Sequence, residues 1–109
     1  MVSATDPVEV WRTAARSRSA YTSRLDWDQA VKVWEGLGDV QPDRSYESYT
    51  PSRDISQERR IVFLPITADV TEQDRLLIEG QFFEVDGRPE RHTKTSRRHI
   101  RLIAWRSLR

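Results

Sequence analysis

The segment from Ile66 to Pro89 constrains the fold more than any other part of the chain. Alternate positions on the two sides of Gly80 carry apolar side chains, while the positions between them are mixed, which is typical of a tight β-hairpin. We assign the two-residue turn to Gly80-Gln81, because a turn at Glu79-Gly80 would pair Ile78 with Gln81 and mix the two faces. The predicted apolar face consists of Leu76, Ile78, Phe83 and Val85.

Three further segments have the composition of strands. Arg60–Pro65 is β-branched and aromatic, and Trp27–Val40 is apolar but interrupted by Gly36 and Gly38, which favours a bent or bulged strand. A final strand is predicted at Ile100–Trp105, with one face formed by Ile100, Leu102 and Ala104. About six short strands joined by Gly- and Pro-containing turns predict an all-β domain, either a small barrel or a sandwich.

The N-terminal segment is ambiguous between helix and strand. Asp6-Pro7 resembles a helix start, and Val8, Trp11 and Ala15 are spaced as on one side of a helix. However, Val8 and Val10 also alternate with charged residues, as in a half-buried strand. Periodicity alone leaves both alternatives open.

Two long polar segments separate the predicted strands. Gln41–Arg60 contains two prolines and many serine, arginine and aspartate residues, and Asp86–Arg98 is dense in basic side chains. Loops longer than about 12–15 residues are usually functional or mobile. These two long polar loops are therefore the first candidates for function.

The composition indicates one small domain over residues 1–109. Hydrophobic residues make up 37% and charged residues 32%, which is polar for a globular domain and suggests long loops or burial against a partner. The net charge of +1 conceals a strong separation, because residues 1–25 carry +2, residues 26–85 carry −7 and residues 86–109 carry +6. Such segregation favours association with another charged surface, including a second copy of the chain.

Several classes of protein are disfavoured by what the sequence lacks. It has no cysteine, which fits a reducing compartment and excludes disulfides. It has no apolar run of about 18 residues, so we expect no membrane-spanning segment. No signal-peptide pattern is visible at the N-terminus.

No catalytic or metal-binding pattern is found in the sequence. His92 and His99 are seven residues apart and fit no compact metal motif. The acidic residues Asp69, Glu72 and Asp74 lie near a turn, where they are expected to cap backbone amides rather than form an acid–base pair. P-loop, nucleophile-elbow and zinc-protease motifs are absent. We therefore expect a protein that is not an enzyme and has no cofactor or metal.

Nucleic-acid binding is a stronger possibility, because small barrels bind single strands with a basic groove and aromatic platforms. The C-terminal third supplies basic charge from Arg88, Arg91, Lys94, Arg97, Arg98 and Arg101. No aromatic residue is interleaved with them until Trp105, so phosphate contact is indicated but base stacking is not. The tryptophans are expected to be core anchors rather than a ligand cage; they are Trp11, Trp27, Trp34 and Trp105.

Four blocks of sequence together resemble the head-to-tail stopper family, the head-closure proteins of long-tailed bacteriophages, especially those of actinobacteria. The blocks are DPVEVWRTA from Asp6, AYTSRLDWDQA over 20–30, VQPDRSYE over 40–47 and DVTEQDRLLIEGQFFEVDGRP over 69–89. The most specific pieces are Asp74-Arg75, the glycine turn, Phe83-Glu84-Val85, Asp86-Gly87, Pro89 and His99. Their order and spacing extend the similarity over nearly the whole chain.

The resemblance implies a small β-barrel of about six short antiparallel strands, with a strand at about Val8–Thr13. Such proteins assemble as a ring, here expected to be a hexamer, between the portal–adaptor complex and the tail. The ring would retain packaged double-stranded DNA and dock the tail terminator or tail tube, without catalytic activity. The protein would therefore belong to the virion, after assembly in the host cytoplasm.

The resemblance also implies that one long loop projects toward the channel. We assign this loop to Arg44–Arg59, although Glu90–Arg98 is more basic than the family pattern and competes for the role. The candidate channel-facing, DNA-facing or interface residues are Arg44, Arg53, Arg59, Arg88, Arg91, Lys94, Arg97 and Arg98.

Two alternatives stay open. One is another connector or tail-completion component, such as an adaptor or a tail terminator. The other is a cytosolic small-barrel nucleic-acid-binding module. A helix-rich fold would favour an adaptor, whereas a β-rich fold suits a stopper or a terminator.

Overall fold

The computed structural model describes residues 4–14, 16–18, 23–43, 57–94 and 96–108. These residues form eight strands and one 3₁₀ turn at Trp27–Gln29. The strands are β1 (Asp6–Arg12), β2 (Arg16–Arg18), β3 (Ser23–Leu25), β4 (Val31–Pro42), β5 (Gln57–Pro65), β6 (Arg75–Ile78), β7 (Gln81–His92) and β8 (His99–Ser107). No helix in this part of the chain has the length and hydrophobicity needed to cross a lipid bilayer.

Six antiparallel strands close into a barrel in the order β1-β4-β5-β8-β7-β6, and β6 pairs back onto β1. The expectation of a small all-β barrel is therefore confirmed. The strand alternative at the N-terminus is also confirmed and the helical one is wrong, because β1 forms backbone ladders with β4 on one side and β6 on the other. A separate two-stranded ribbon, β2–β3, was not predicted.

The core consists of small and medium apolar side chains that point into the barrel from alternate positions of its strands. Its fully buried members include Val8 and Val10 of β1, Leu76 of β6 and Ile100 of β8. The predicted apolar faces of the hairpin and of the last strand are confirmed, with all seven side chains at most 8% exposed. Alternation of this kind is what a closed barrel requires, because inward and outward side chains follow each other along every strand.

The hairpin turn lies one residue earlier than predicted. Glu79 and Gly80 form it with φ angles of 52° and 76°, and Ile78 pairs with Gln81. The assignment to Gly80-Gln81 was therefore wrong. Moving the turn by one residue shifts the strand pairing by two residues, so the same side chains remain on each face of the hairpin. The hydrophobic pattern therefore could not distinguish the two turns. A turn with two positive φ angles matches the twist of the strands, and this decides the position.

The strand predicted at Trp27–Val40 begins only at Val31, because Trp27–Gln29 forms the 3₁₀ turn. This strand, β4, carries a bulge, but away from the two glycines on which the prediction rested. Val10 pairs with Trp34 and Trp11 pairs with Lys32, so Val33 is an extra residue on β4. At Gly38 the barrel is so tight that a Cβ atom would lie 2.7 Å from the carbonyl oxygen of Phe63. Glycine is therefore needed here for the close approach of β4 to β5.

The two polar loops are shorter than predicted. β4 runs through Pro42, β5 begins at Gln57 and β7 continues to His92, so part of each segment is strand. Residues 44–56 of the first loop lie outside the described residues. The second loop is confined to residues 93–98, because β7 resumes its pairing with β8 beyond an irregularity between Asp86 and Glu90. Polar side chains on a solvent-facing hairpin give no hydrophobic signal, which explains the error in the bounds.

Candidate interaction surfaces

Five of the eight predicted site residues lie together at the end of the β7–β8 hairpin. Arg88 and Arg91 are on β7, and the other three are in the connection between the strands. All five are exposed. We call this group the basic hairpin; it consists of Arg88, Arg91, Lys94, Arg97 and Arg98. It can contact phosphate groups or another acidic surface.

Local contacts order the base of this hairpin. His92 lies opposite His99, and their rings stack with centroids 4.7 Å apart. The His99 Nδ1 atom lies 2.8 Å from the carbonyl oxygen of Arg97. Arg91 Nη2 donates to the carbonyl oxygen of Val70 at 3.3 Å. The two histidine rings therefore help to order the base of the hairpin. The described residues contain no group of three or more His, Cys, Asp or Glu side chains that could hold a metal ion.

Arg59 was predicted to lie on a projecting loop, and the structure corrects this placement. It lies on β5, its side chain is only 18% exposed, and its Nη2 atom is 2.9 Å from an Asp86 carboxylate oxygen. Its Nε atom is 3.6 Å from Asp43. Arg59 therefore links neighbouring parts of the barrel and does not project toward DNA. Arg44 and Arg53 lie outside the described residues.

A second surface, which sequence reasoning missed, lies on the outer wall of the barrel. Backbone pairing places Trp11 beside Arg75, Arg75 beside Glu84 and Glu84 beside Trp105, so one row crosses four strands. Phe82 lies next to this row, on β7, and Trp27 covers Arg75 from the 3₁₀ turn. We call this group the aromatic surface; it consists of Trp11, Trp27, Arg75, Phe82 and Trp105.

The prediction that the tryptophans anchor the core is therefore wrong for three of the four. Trp11, Trp27 and Trp105 are half-buried on the outside, and only Trp34 packs against the core cluster. The interior of a six-stranded barrel is filled by aliphatic side chains and Phe83. Since the inward position of each strand is already occupied, indole rings at outward positions remain at the surface.

The aromatic side chains are ordered by contacts with each other and with arginine. Trp11 and Phe82 meet edge to face with ring centroids 6.1 Å apart, and the Arg75 guanidinium lies 4.3 Å from the centre of the Trp27 ring. Phe82 nevertheless remains 48% exposed. Two adjoining hollows share Arg75 and Phe82, one bordered by Trp11 and Trp27 and the other by Trp105. Exposed aromatics beside arginine are the composition of protein-binding hot spots.

Arg75 has a positive charge that is poorly compensated within the chain. Its Nε atom is buried without a hydrogen-bond partner, and none of the carboxylates in the described part of the chain forms an ion pair with it. Glu84 lies directly opposite on β7 but does not bridge to it. Stacking on Trp27 is a cation–π contact, which stabilises the charge without satisfying its N–H groups.

A buried ion pair holds the aromatic surface in place. Arg12 donates to both carboxylate oxygens of Asp74, from Nε at 2.9 Å and from Nη2 at 2.8 Å. Asp74 also accepts from the Thr71 backbone N–H at 2.8 Å, which confirms its predicted role as a cap. Since Arg12 follows Trp11 and Asp74 precedes Arg75, this pair clamps β1 to the start of β6.

Asp69 completes the cluster from the solvent side. Its Oδ1 atom lies 2.8 Å from Arg12 Nη2, although its side chain is 55% exposed. The hydrogen bond from Arg12 lowers the pKa of Asp69 below its ordinary value, and the two aspartates together raise the pKa of Arg12. Asp69 was predicted to cap backbone amides, and it binds an arginine side chain instead.

Comparison with known proteins supports the fold alone. No protein-family model and no curated protein matches the sequence. Among solved structures, the chain is similar to the solution structure of protein SF1141 from Shigella flexneri 2a, with a TM-score of 0.60 and 13% sequence identity. The similarity covers 93% of this chain and 90% of that chain, so it extends over the whole barrel.

Proposed function

We propose that the protein is a structural component of a tailed bacteriophage that forms the head-closure ring between the portal–adaptor complex and the tail. The observation that carries the proposal is the presence of two different binding surfaces at separate levels of one closed barrel. The tip of the basic hairpin lies beyond His99, the first residue of β8, and the aromatic surface includes Trp105, six residues further along β8. At about 3.3 Å per residue, His99 and Trp105 are roughly 20 Å apart along the strand.

A ring subunit needs such a division of its surface. One part must contact neighbouring subunits, and another must face the channel through which double-stranded DNA passes. The basic hairpin is exposed and carries five positive charges, which suits weak, sequence-independent contact with phosphates. Weak contact is required, because DNA must be retained after packaging and must slide during ejection.

The fold favours a stopper or a tail terminator over an adaptor. The described residues form strands and a single 3₁₀ turn, whereas an adaptor is expected to be rich in helix. The sequence blocks that resemble head-to-tail stoppers then favour head closure over tail termination. The adaptor on one side and the tail terminator or tail tube on the other are the partners that this role requires.

A single-strand nucleic-acid-binding module is the second candidate, and one observation favours it. The barrel brings Trp11, Phe82 and Trp105 together with Arg75, which provides the stacking platform that the sequence did not reveal. However, Glu84 is exposed in the middle of this surface and would repel phosphates. Salt-sensitive, nanomolar binding of oligonucleotides would support the module over the ring.

The experiment that tests head closure is disruption of the gene in the phage that encodes it, followed by electron microscopy of the particles. We expect separate heads, many without DNA, beside finished tails. The wild-type gene supplied in trans should restore complete virions. Normal tailed virions without the gene would overturn the proposal.

A second complementation separates the channel role from the ring itself. A variant with Arg91, Lys94, Arg97 and Arg98 changed to Gln should assemble but retain or eject DNA abnormally. The matched control changes the three arginines to Lys and leaves Lys94, which preserves the charge. Unchanged DNA retention and ejection with the Gln variant would exclude the basic hairpin as the DNA-facing element.

A further inference from the structure

The wall of the barrel that carries β4 has an acidic and apolar strip. Glu35, Leu37 and Asp39 point outward at alternate positions, while Gly36 and Gly38 lie between them. We call these three outward residues the β4 strip. Leu37 is 52% exposed, and the Glu35 side chain is 65% exposed. Leu37 is one of four large hydrophobic side chains that the described part of the chain exposes.

Negative charge is concentrated around this strip. Glu9 of β1 lies directly opposite Glu35, and like charges facing each other across a strand pair are destabilising. Lys32 bridges to Glu35 at 3.0 Å, and Asp39 accepts only a neutral hydrogen bond, from Gln41 at 3.0 Å. Lys32 therefore compensates Glu35, while Asp39 forms no ion pair with any cation in the described part of the chain.

The aromatic surface supplies a positive charge and exposed rings, although the exposed carboxylates of Glu84 and Asp28 also border its hollows. It offers Arg75, whose charge lacks a carboxylate partner within the described residues, and hollows bordered by the half-exposed ring of Phe82. A ligand that supplies a carboxylate beside an aliphatic side chain would satisfy both features. The β4 strip supplies that combination on the same chain.

We propose that the aromatic surface of one copy binds the β4 strip of a second copy, with Leu37 in the aromatic hollow and its flanking carboxylates facing Arg75. Within one molecule the two cannot meet. In the closed order β1-β4-β5-β8-β7-β6, β1 separates β4 from β6, which carries Arg75, and β7, which carries Phe82, is three strands from β4 in either direction. The contact must therefore be between molecules.

Two different surfaces meet in this contact, so it is heterologous and can repeat from copy to copy. A heterologous contact closes into a ring when its rotation divides a full turn, and otherwise extends as a filament. The inference deepens the proposed function, since it rests on the ring and names the surfaces that join its subunits. It leaves the basic hairpin available to the channel, because no residue of that hairpin takes part.

Site-specific cross-linking tests the contact directly, because the natural chain has no cysteine. Purified Glu35→Cys and Glu84→Cys chains are mixed and treated with a short bismaleimide. Glu35 belongs to the β4 strip and Glu84 lies within the aromatic surface, so each exchange removes one carboxylate, while Leu37, Asp39 and Arg75 stay unchanged. We expect the mixed dimer to form at least about tenfold faster than dimers of either chain alone.

The matched control replaces Glu84→Cys by Ser96→Cys, an exposed position on the loop after β7. The Glu35/Ser96 mixture should cross-link at the slow, collisional rate. A Glu84/Glu84 dimer that forms fastest would overturn the proposal in favour of an isologous contact. Equal rates for all mixtures would overturn it as well.

A charge variant tests the assigned chemistry. Arg75→Glu added to the Glu84→Cys chain should reduce the mixed cross-linking about tenfold, while Arg75→Lys should retain most of it. Circular dichroism would show whether each variant keeps the barrel fold. Unchanged cross-linking with a folded Arg75→Glu chain would exclude Arg75 as the anchor of the carboxylates.

The cross-linking experiment and the gene disruption test different claims, so the failure of one can be told from the failure of the other. Preferred Glu35/Glu84 cross-linking together with normal virions after disruption would retain the self-contact and reject head closure. Tailless particles without preferred cross-linking would retain head closure and reject these surfaces as the ring contact.

Discussion

The aromatic surface and the basic hairpin are both arginine-containing surfaces on one barrel, but they are built in opposite ways. The basic hairpin takes all its side chains from residues 88–98. The aromatic surface takes five side chains from β1, the 3₁₀ turn, β6, β7 and β8. A contiguous charged surface is visible in the sequence, whereas a surface assembled across strands becomes visible only through their register.

The two surfaces also differ in what supports them. The hairpin charges are exposed, so salt screens them and folding depends little on their presence. The aromatic surface rests on the buried Arg12–Asp74 pair and on the tight turn before Phe82. Changes in its support should therefore reduce stability, while changes in the hairpin should leave stability nearly unaltered.

The largest loss is expected from Asp74→Ala. Asp74 is fully buried, and its removal leaves the Arg12 Nε–H and the Thr71 N–H without their acceptor, while Arg12 keeps its contact with Asp69. Breaking a buried pair costs about 3–5 kcal/mol, and we expect about 3 because Arg12 is partly exposed. Urea unfolding followed by tryptophan fluorescence measures it. The control, Asp69→Ala, should cost less than about 1 kcal/mol, and equal losses would contradict the distinction between the two aspartates.

The turn before Phe82 should show the next largest effect. Gly80 has a φ of 76° and nothing within 4 Å of its Cβ position, so Gly80→Ala introduces backbone strain without a clash. We expect a loss of about 1 kcal/mol in the free energy of unfolding. Gly80→Asn should lose less, because asparagine tolerates positive φ. Losses of the same size from the two variants would argue against strain as the cause.

Acid should weaken the fold through two carboxylates that accept hydrogen bonds from arginine. Hydrogen bonds from Arg12 and Arg60 lower the pKa of Asp69 and of Glu58, respectively, below their ordinary values. A lowered folded-state pKa stabilises the fold above the unfolded-state value, and this contribution is lost as pH falls through the folded-state value. We therefore expect stability to decline below about pH 4, in the range where unfolded aspartate and glutamate titrate.

The acid dependence is checked by unfolding at several pH values. The Asp69→Asn and Glu58→Gln variants should each show a shallower decline between about pH 4 and pH 2 than the natural chain. The neutralised variant of the basic hairpin keeps the hydrogen bonds to both carboxylates and loses only the weaker attraction of Arg91 for Asp69, so its slope should stay close to the natural one. A decline that is unchanged in both carboxylate variants would rule out these groups as its source.

The smallest effect on stability is expected from neutralising the basic hairpin. The variant with Arg91, Lys94, Arg97 and Arg98 changed to Gln should unfold within about 0.5 kcal/mol of the natural chain. Among the contacts that this variant loses is the hydrogen bond from Arg91 to the Val70 carbonyl, which is long at 3.3 Å. Thermal unfolding measures this. A loss as large as that from Asp74→Ala would show that the hairpin supports the fold.

Much of the fold was predictable from local pattern. Alternating apolar residues identified the buried faces of β6, β7 and β8, whereas the bulge of β4 lies at Val33 and not at the glycines that suggested one. The turn position escaped prediction, because both registers leave the same residues inside. The extent of β7 escaped it too, since a solvent-facing hairpin of polar residues resembles a loop.

The candidate sites show the same difference between residues that are neighbours in sequence and residues that meet only in the folded chain. Clustered basic residues were found because they are neighbours in sequence. Arg59 was misassigned because its partners, Asp43 and Asp86, approach it only in the folded chain. The tryptophans were misassigned because hydrophobicity predicts burial, whereas the small barrel has room inside only for aliphatic side chains and a single phenylalanine, Phe83.

The sequence by itself determined that this chain forms strands, which side of each hairpin strand is buried, and where positive charge accumulates. These properties depend on residues that are close along the chain. The tertiary structure alone decided that Trp11, Arg75, Glu84 and Trp105 form one row, and that β4 lies opposite β7. Barrel closure pairs strands that are distant in sequence, and no local periodicity encodes which strand becomes the neighbour of which.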